Sequence, residues 1–224
     1  DHVIKTLSSD LPLSGTVSLV TAVPTRESID SVRYLSNRST GLMGLSIAKE
    51  LARNGSEVNL ILGPSSYKIN YPNVNLIPVE SCDEMYIEAL KLFSKSDICV
   101  FSAAVSDYKI SNKFSKKIKK SDFIKLELEK NIDIAKELCK NKNEKQLCVG
   151  FALEDDNNIK NAQKKMKDKN FNFIVLNSLE NKDTCFESFK NKITIIDNHN
   201  TFNFDLKSKK SVAKDIVTHI IKTK

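Results

Sequence analysis

The sequence of 224 residues predicts an α/β fold in which helices cover both faces of a mainly parallel sheet. Short apolar or β-branched runs of strand length recur along the chain. Stretches with apolar residues every three or four positions separate several of these runs. Because neighbouring parallel strands need a crossover connection, which is usually a helix, the alternation favours a Rossmann-like three-layer sandwich.

The individual elements follow from the same patterns. The predicted strands are Thr16–Ala22, Glu57–Gly63, Val74–Val79, Asp97–Ala104, Gln146–Ala152 and Phe171–Asn177. The predicted helices are Met43–Asn54, Cys82–Ser94, Ile132–Asn141, Ile159–Asn170 and Ser211–Lys222. Ser111–Ser121 is rich in lysine and poor in apolar residues, which predicts a mobile flap. Asn191–Leu206 predicts a C-terminal β-hairpin that turns at Asn198–Asn200.

Composition narrows the class of protein. Apolar residues make up 40% of the chain and charged residues 28%, and no apolar run approaches the roughly 20 residues that cross a bilayer. No linker divides the chain, so we predict one domain over residues 16–224 and a linker or edge segment over residues 1–15. The chain begins at Asp1 without a secretory signal, and we expect a fragment of a longer cytoplasmic polypeptide.

The cysteines, histidines and net charge restrict the chemistry. The five cysteines are scattered, which predicts free, mostly buried thiols, and the three histidines lie too far apart to suggest zinc. The net charge of +7 indicates an anionic partner. Charge alone does not distinguish nucleic acid from nucleotides or phosphorylated metabolites, and most of the lysines are typical of solvated helix faces.

A loop of small and hydroxylic residues leads into the first predicted helix. It contains Ser36, Ser39, Thr40 and Gly41. Backbone N–H groups and the positive end of the helix dipole attract anions at such a position, so the loop is a candidate phosphate or carboxylate site. The loop alone fits a structural role equally well, because a hydroxyl can cap the helix and Gly41 can permit a tight turn.

Six short motifs follow one another at the ends of the predicted elements. They are Thr21–Glu27, Asp30–Gly41, Ala103–Tyr108, Lys117–Lys120, Lys130–Ile134 and Val149–Ala152. Their order and approximate spacing resemble the phosphopantothenate-cysteine ligase family, and the resemblance covers nearly the whole chain from residue 16.

The resemblance implies an enzyme of coenzyme A biosynthesis. CTP, with Mg²⁺, activates the carboxylate of 4′-phosphopantothenate as an acyl-cytidylate. The amine of L-cysteine then displaces CMP, which gives 4′-phosphopantothenoylcysteine. The resemblance also implies a homodimer, and a fusion in which a preceding decarboxylase half carries FMN. It implies neither a nucleic-acid partner nor a membrane partner.

The resemblance assigns residues position by position. Asn37 and Lys117 are the implied catalytic residues, Asn37 at the acyl-cytidylate and Lys117 in the flap. The implied nucleotide-binding residues are Ala103, Ala104, Asp107, Lys117, Ile132, Asp133, Ile134, Ala135, Phe151, Lys165 and Lys169. Asp107 is also a candidate Mg²⁺ ligand, with phosphates and water supplying most of the coordination. Taken singly, each residue has an ordinary alternative as a cap, a core residue or a surface charge.

Three residues depart from the family pattern. Val23 replaces a usual glycine, Ile132 a usual proline and Thr40 a common serine. Thr40 keeps a hydroxyl, and Ile132 can still begin a helix. Val23 matters most, because a β-branched residue disfavours positive φ and places a side chain where the backbone would otherwise approach a ligand.

Two other classes of protein compete with this interpretation. A dinucleotide-binding oxidoreductase would share the sheet, but Val23–Thr25 and Leu62–Pro64 stand where its glycine fingerprint and ribose-binding acid are required. Gly41 and Gly44 supply only G-x-x-G. A basic nucleic-acid-binding module is suggested by the run from Lys113 to Lys120, although Phe114 is the one aromatic residue within that run.

Overall fold

The computed structural model describes residues 11–67, 69–119, 125–154, 158–178 and 188–224. Its strands are β1 Val17–Ala22, β2 Arg26–Ser28, β3 Tyr34–Ser36, β4 Glu57–Leu62, β5 Val74–Pro78, β6 Ile98–Phe101, β7 Tyr108–Ile110, β8 Leu128–Lys130, β9 Leu147–Glu154, β10 Phe173–Ser178, β11 Lys190–Asn191, β12 Ile193–Asp197, β13 Thr201–Asn203 and β14 Lys207–Ser208. Its helices are α1 Leu42–Arg53, α2 Cys82–Phe93, α3 Ile134–Cys139, α4 Asn158–Asp168 and α5 Lys209–Thr223.

The main sheet has eight strands in the order β13-β12-β10-β9-β6-β1-β4-β5. From β10 to β5 all neighbours are parallel, whereas β12 and β13 join antiparallel as a hairpin. β1 lies in the interior and pairs with both β4 and β6. The chain therefore leaves β1 first toward one edge and later toward the other, which is the doubly wound order with its switch point between β1 and β6.

Two helical layers enclose this sheet. α1 and α5 pack against each other on one face and bury Leu45, Leu51, Val212 and Ile216. α2, α3 and α4 cover the other face with apolar side chains that include Met85, Leu138 and Met166. β1 and β6 are buried along nearly their whole length because both of their faces are covered, and β6 is apolar throughout. The predicted three-layer Rossmann-like sandwich is confirmed, and so is the C-terminal hairpin.

Element boundaries differ from the prediction where local interactions decide them. The strand predicted over Asp97–Ala104 ends at Phe101, and the residues after it leave the sheet. The helix predicted from Ile132 begins at Ile134, because the side chain of Asp133 accepts a hydrogen bond from Lys136 N–H and caps it. The ladders β2–β3 and β7–β8 were not predicted, since their three-residue strands are too short for a periodic signal.

The described part of the flap, residues 111–119, is mostly exposed and has no helix or strand. Two backbone N–H groups attach it to the turn between β2 and β3. Phe114 N–H donates to Ile29 O at 3.0 Å, and Ile118 N–H donates to Asp30 Oδ2 at 3.1 Å. Lys120 and Ser121 of the predicted flap lie outside the described residues.

Leu13, within the predicted N-terminal segment, is buried in the core, and residues 1–10 lie outside the described part. Four free cysteines are buried, and burial raises the pKa of the Cys82 thiol to about 12, with the Glu27 and Asp83 carboxylates adding to the shift. Cys185 is not among the described residues. Within the described ranges, no helix has both the length and the apolar character that a membrane crossing requires.

Candidate active site at the switch point of the sheet

A cavity of about 510 Å³ lies beyond the carboxyl ends of β1 and β6. This is where the strand order reverses, and open α/β sheets bind their ligands at that position. Four loop or strand-end segments build most of its wall, namely residues 37–44, 101–107, 131–135 and 151–153. Segments that are distant in sequence therefore meet at one site.

The wall contains most of the residues that the family resemblance indicated. It also contains most of the loop with Ser36, Ser39, Thr40 and Gly41, which we call the anion loop. The indicated residues that line the wall are Asn37, Ser39, Thr40, Gly41, Ala103, Ala104, Asp107, Ile132, Asp133, Ile134, Ala135, Phe151, Lys165 and Lys169. Ser36 and Lys117 lie outside the wall. The hydroxyl of Ser36 donates instead to Thr25 O at 2.7 Å, and Lys117 is exposed on the flap.

The start of α1 faces the cavity. Its N-cap residue is Gly41, with φ of 69°, and no side chain of the described residues provides a cap hydrogen bond there. Leu42, Met43 and Gly44 of the first turn all line the cavity. Ser39 Oγ accepts from Gly41 N–H at 3.2 Å, so this hydroxyl shapes the loop rather than capping the helix. The first-turn N–H groups are thus left for an anion.

Val23 adopts the conformation that its side chain disfavours. Its φ is 72°, in the left-handed region, and its side chain is 2% exposed. The side chain lies against Gly41, where any Cβ would overlap it. Val23 is not among the residues that line the cavity, and its side chain packs in the core beneath the loop.

Asn37 connects the anion loop to the segment that follows β6. Its side-chain Nδ2 donates to Ala104 O at 3.1 Å and to Val105 O at 3.0 Å. Both amide hydrogens are therefore engaged in holding two parts of the wall together. In this structure Asn37 therefore positions the anion loop relative to the segment that follows β6.

Asn131 fixes the neighbouring part of the wall. Its backbone N–H donates to Asp107 O at 2.9 Å, and its side-chain Nδ2 donates to Ser106 O at 2.8 Å. Ser106 N–H in turn reaches Thr25 Oγ1 at 3.3 Å. These bonds set the distance between residues 103–107 and residues 131–135 across the cavity.

Two lysines approach the cavity from α4 and the residue after it, and each is paired with a carboxylate. Lys165 Nζ lies 3.6 Å from Glu154 Oε1, and Lys169 Nζ lies 2.8 Å from Asp133 Oδ2. Lys169 N–H donates to Lys165 O, which continues the helical turn and keeps both lysines on one face. Partly exposed ion pairs of this kind contribute roughly 0–1 kcal/mol, so an anionic ligand can replace the carboxylates.

Asp30 is the anchor to which the flap is attached. Its buried carboxylate accepts from the Arg33 side chain, from the backbone N–H groups of Val32 and Arg33, and from Ile118 N–H. The Arg33 guanidinium, and then these backbone donors, hold the pKa of Asp30 well below its usual range. Arg33 Nη2 also donates to Ile118 O at 3.2 Å, so Arg33 and Asp30 together fix the residue next to Lys117.

Sequence reasoning assigned no part to eight polar residues of the wall. They are Thr21, Arg38, Ser102, Ser106, Asn131, Asn177, Asn191 and Lys209. Asn131 stood inside a quoted motif, but its side chain had no assigned part. Lys209 carried no such signal, because the sequence pattern begins the last helix at Ser211, whereas the structure begins it at Lys209.

No group of three or more histidine, cysteine or acidic side chains suited to a metal ion occurs among the described residues. Asp107 contributes a single carboxylate to the cavity wall. One carboxylate suits Mg²⁺ that is carried mainly by phosphate oxygens and water rather than by a protein cage.

The fold and the cavity define a Rossmann-like α/β domain whose ligand site carries an open helix start and paired lysines. The chain belongs to the family described as the DNA/pantothenate metabolism flavoprotein C-terminal domain, which matches residues 13–223. The resemblance to phosphopantothenate-cysteine ligases that the six motifs carry is thereby confirmed at the level of the family.

Individual relatives agree with this membership. The chain is 42% identical over 215 residues to a cysteine/cysteine sulfinic acid decarboxylase of an unknown prokaryotic organism, covering 95% of this chain and 60% of that protein. It is 40% identical over 203 residues to the coenzyme A biosynthesis bifunctional protein CoaBC of Borreliella burgdorferi, covering 89% and 50%. A crystal structure of a CoaBC C-terminal domain superimposes with a TM-score of 0.81 at 32% identity, covering 96% and 98%. The chain thus spans about half of these two curated relatives.

Proposed function

We propose that the chain joins 4′-phosphopantothenate to L-cysteine and uses CTP to activate the carboxylate. One observation carries the proposal: the uncapped start of α1, Asn37 and the lysine pair Lys165 and Lys169 share the wall of one cavity. Both substrates of the first step are anions, so a site that aligns them needs positive charge and N–H donors on more than one side.

The nucleotide lies against the half of the cavity formed by residues 103–107, residues 131–135 and Phe151. Lys165 and Lys169 exchange Glu154 and Asp133 for phosphate oxygens when CTP binds. The ring of Phe151 offers an apolar surface to the base or the ribose, and Asp107 approaches the ribose or a phosphate-bound Mg²⁺. This ion supplies charge neutralisation on the phosphates.

The reaction proceeds in two displacements. A carboxylate oxygen of 4′-phosphopantothenate forms a bond to the α-phosphorus of CTP, while the bond to the bridging oxygen breaks and pyrophosphate leaves. The cysteine nitrogen then bonds to the acyl carbon, the acyl C–O bond to CMP breaks, and the nitrogen loses a proton. The chain contributes alignment and electrostatic stabilisation in both displacements.

Asn37 supports this alignment from its place between the two substrates. Its hydrogen bonds to Ala104 O and Val105 O hold residues 103–107, against which the nucleotide lies, next to the anion loop. Direct donation from Asn37 to a developing oxyanion requires its amide to exchange one of these bonds. Lys117, on the flap held by Asp30 and Arg33, reaches the triphosphate when the flap moves over the cavity.

Further parts of the proposal concern the whole protein. FMN and decarboxylase chemistry belong to a part of the polypeptide outside this chain, since the chain covers 60% of the relative named as a decarboxylase and 50% of the bifunctional CoaBC relative. The protein acts in the cytoplasm as a homodimer. Exposed apolar side chains on the ladders β2–β3 and β7–β8 and on their connections offer the contact surface, namely Val32, Tyr34, Tyr108, Leu126 and Leu128.

The test is pyrophosphate release by the purified chain with Mg²⁺, 4′-phosphopantothenate and either CTP or ATP, with and without L-cysteine. We expect release that requires 4′-phosphopantothenate and CTP, followed by cysteine-dependent formation of CMP and 4′-phosphopantothenoylcysteine. Release with ATP alone among the nucleotides would overturn the choice of CTP. No release with either nucleotide would overturn the ligase assignment for the isolated chain.

A further inference from the structure

The first turn of α2 lies outside the cavity wall and contacts the ladders β2–β3 and β7–β8. Its residues Cys82 and Asp83 are not among those that line the cavity. The ladder β2–β3 leads into the anion loop, because Asn37 directly follows β3. The ladder β7–β8 connects two other wall segments, since Asp107 precedes β7 and Asn131 follows β8. A turn that holds both ladders therefore sets the spacing between separate parts of the wall.

Glu27 is the contact on the first ladder, and it is a fully buried carboxylate. Its exposure is 0%, and its Oε1 accepts a hydrogen bond from Cys82 N–H at 3.0 Å. Acidic side chains are almost never fully buried unless they are paired. Here the partner is the beginning of α2, where free N–H groups and the helix dipole favour negative charge. Arg26 N–H also donates to Glu80 O at 2.9 Å, so β2 is attached to α2 and to the residues that precede it.

The thiol of Cys82 continues this connection to the cavity wall. Cys82 is 0% exposed, and its Sγ donates to Ile132 O at 3.5 Å. Burial, and then the Glu27 and Asp83 carboxylates, raise the pKa of Cys82 to about 12, so the thiol keeps its proton and remains a donor. Ile132 lines the cavity and stands next to Asp133, which caps α3. Cys82 thus joins Glu27 through its backbone and Ile132 through its side chain.

Asp83 adds a contact to the second ladder. Its carboxylate lies 3.1 Å from Lys109 Nζ on β7, and the same ammonium group lies 3.9 Å from Glu129 Oε1 on β8. The Asp83 carboxylate raises the pKa of Lys109, as expected for a direct ion pair. Partly exposed pairs of this kind contribute roughly 0–1 kcal/mol. The buried contacts of Cys82 are therefore the stronger part of the connection.

We propose that Glu27 and Cys82 are positioning residues for the ligase reaction, which together fix the anion loop relative to residues 131–135. This inference rests on the proposed function and deepens it. Neither side chain lines the cavity, so each acts through the wall that it holds, Glu27 through β2 and β3 and Cys82 through Ile132. Misplacement of reacting groups by about 1 Å costs up to about 100-fold in rate, so a small movement of one wall is measurable.

The experiment compares Cys82→Ala, which deletes the thiol donor, with Cys82→Ser, which supplies a hydroxyl donor at the same position. Cys99→Ala is the matched control, because Cys99 is a buried thiol of β6 that is not among the residues lining the cavity. Pyrophosphate release gives kcat/KM for CTP, and urea denaturation gives the free energy of unfolding. We expect Cys82→Ala to lower kcat/KM about two- to tenfold, the effect of one hydrogen bond.

The two other cysteine variants separate positioning from general packing. Cys82→Ser should recover most of kcat/KM, and Cys99→Ala should leave it unchanged although both alanine variants lose stability. Unchanged kcat/KM in Cys82→Ala, or an equal fall in Cys99→Ala, would overturn the positioning role while the ligase proposal stands. Absence of pyrophosphate release from the unchanged chain would overturn both proposals.

Glu27→Met tests the other end of the connection, because it removes the carboxylate and keeps a side chain of similar length. We expect kcat/KM for CTP to fall, since Cys82 N–H loses its acceptor. In the double variant with Cys82→Ala the two losses should combine to less than their product, because both substitutions break one chain of contacts. Losses that multiply fully would show that Glu27 and Cys82 act separately and would overturn their joint role.

Discussion

Val23 and Gly41 are packed so closely that a Cβ on Gly41 would lie 2.7 Å from Val23 Cα. Both residues have positive φ, 72° for Val23 and 69° for Gly41. Gly41 tolerates this conformation because it has no Cβ, whereas a β-branched residue there is strained by roughly 1–3 kcal/mol. The anion loop thus rests on a strained valine whose burial holds it in place.

Substitution of Val23 should reverse the usual ranking of alanine and glycine. In Val23→Ala the packed methyl groups are lost and the strain of a Cβ at positive φ remains. In Val23→Gly the strain is relieved as well. We expect the glycine variant to have the higher free energy of unfolding, by about 1 kcal/mol, measured by urea denaturation.

Val20 provides the matched control, since it is buried in β1 with ordinary strand geometry. There glycine should be less stable than alanine by roughly 0.5–1 kcal/mol. Alanine more stable than glycine at both positions would show that Val23 carries no strain in solution.

Asn37→Asp should abolish most turnover and leave the fold intact. The substitution places a carboxylate beside the carbonyl oxygens of Ala104 and Val105, so the bonds between the two halves of the wall are lost. Loss of one positioned donor in an active site typically reduces kcat by about 100- to 1000-fold. Steady-state kinetics, with circular dichroism to check folding, measure the effect.

Calorimetric titration with CTP shows whether the lower turnover of Asn37→Asp comes from weaker nucleotide binding or from poorer alignment of the reacting groups. Unchanged CTP affinity with reduced kcat supports a part in aligning the reacting groups. An Asn37→Asp variant with full activity would remove Asn37 from the mechanism.

A separate prediction concerns Asp30, the residue to which the flap is attached. Asp30→Asn retains the shape of the side chain but weakens the pairing with Arg33 and the acceptance from Ile118 N–H, so the flap next to Lys117 loses its attachment. We expect a higher KM for CTP, with pantothenate and 4′-phosphopantothenate binding unchanged. A change in 4′-phosphopantothenate binding equal to that in CTP would indicate a general disturbance of the site instead.

The sequence predicted the long strands and helices and not the short strands, because only long elements carry a repeating pattern of apolar residues. Strands such as β6, which is apolar throughout, and helices such as α1, with apolar residues every three or four positions, were predicted correctly in existence and type. The ladder β2–β3 has three residues in each strand and is held by tertiary contacts, such as Glu27 Oε1 accepting from Cys82 N–H at 3.0 Å. Such a contact joins residues 55 apart in sequence and has no local pattern.

For the cavity wall, the sequence indicated which loops form it and did not indicate the contacts between them. The motifs located the loops that line it, because a family pattern records residues that meet in space. They did not indicate that Asn37 holds two loops together, since that depends on carbonyl groups whose positions no residue type determines. The assignment of the individual wall residues to substrates therefore stays a prediction.

Lys169→Met should weaken CTP binding about tenfold. The substitution removes a charge from the cavity wall and leaves Asp133, its present partner at 2.8 Å, as an unpaired negative group near the phosphates. The loss should shrink at high salt, because partly exposed charges are screened. Lys167→Met is the control, since Lys167 is exposed at the end of α4, two residues before Lys169, and does not line the cavity. Equal loss in both variants would contradict a specific contact.

His219 should make the free energy of unfolding fall in mild acid. Its ring lies between Phe173 and Phe202, with centroids 4.7 and 5.1 Å away, and burial lowers the pKa of His219 below the usual 6.5 although Asp197 opposes the shift. The unfolded chain then binds a proton more readily than the folded chain. The contribution to stability is complete above pH 6.5 and is lost as the pH falls through 6.5 toward the lower folded pKa.

His219→Phe removes the titrating group and keeps an aromatic ring at this position. The free energy of unfolding, measured between pH 8 and pH 5, should fall less steeply in this variant than in the unchanged chain. His199→Gln is the control, because His199 is exposed in the hairpin turn and should leave the slope unchanged. Equal slopes in all three proteins would show that His219 remains as easily protonated in the folded chain as in the unfolded one.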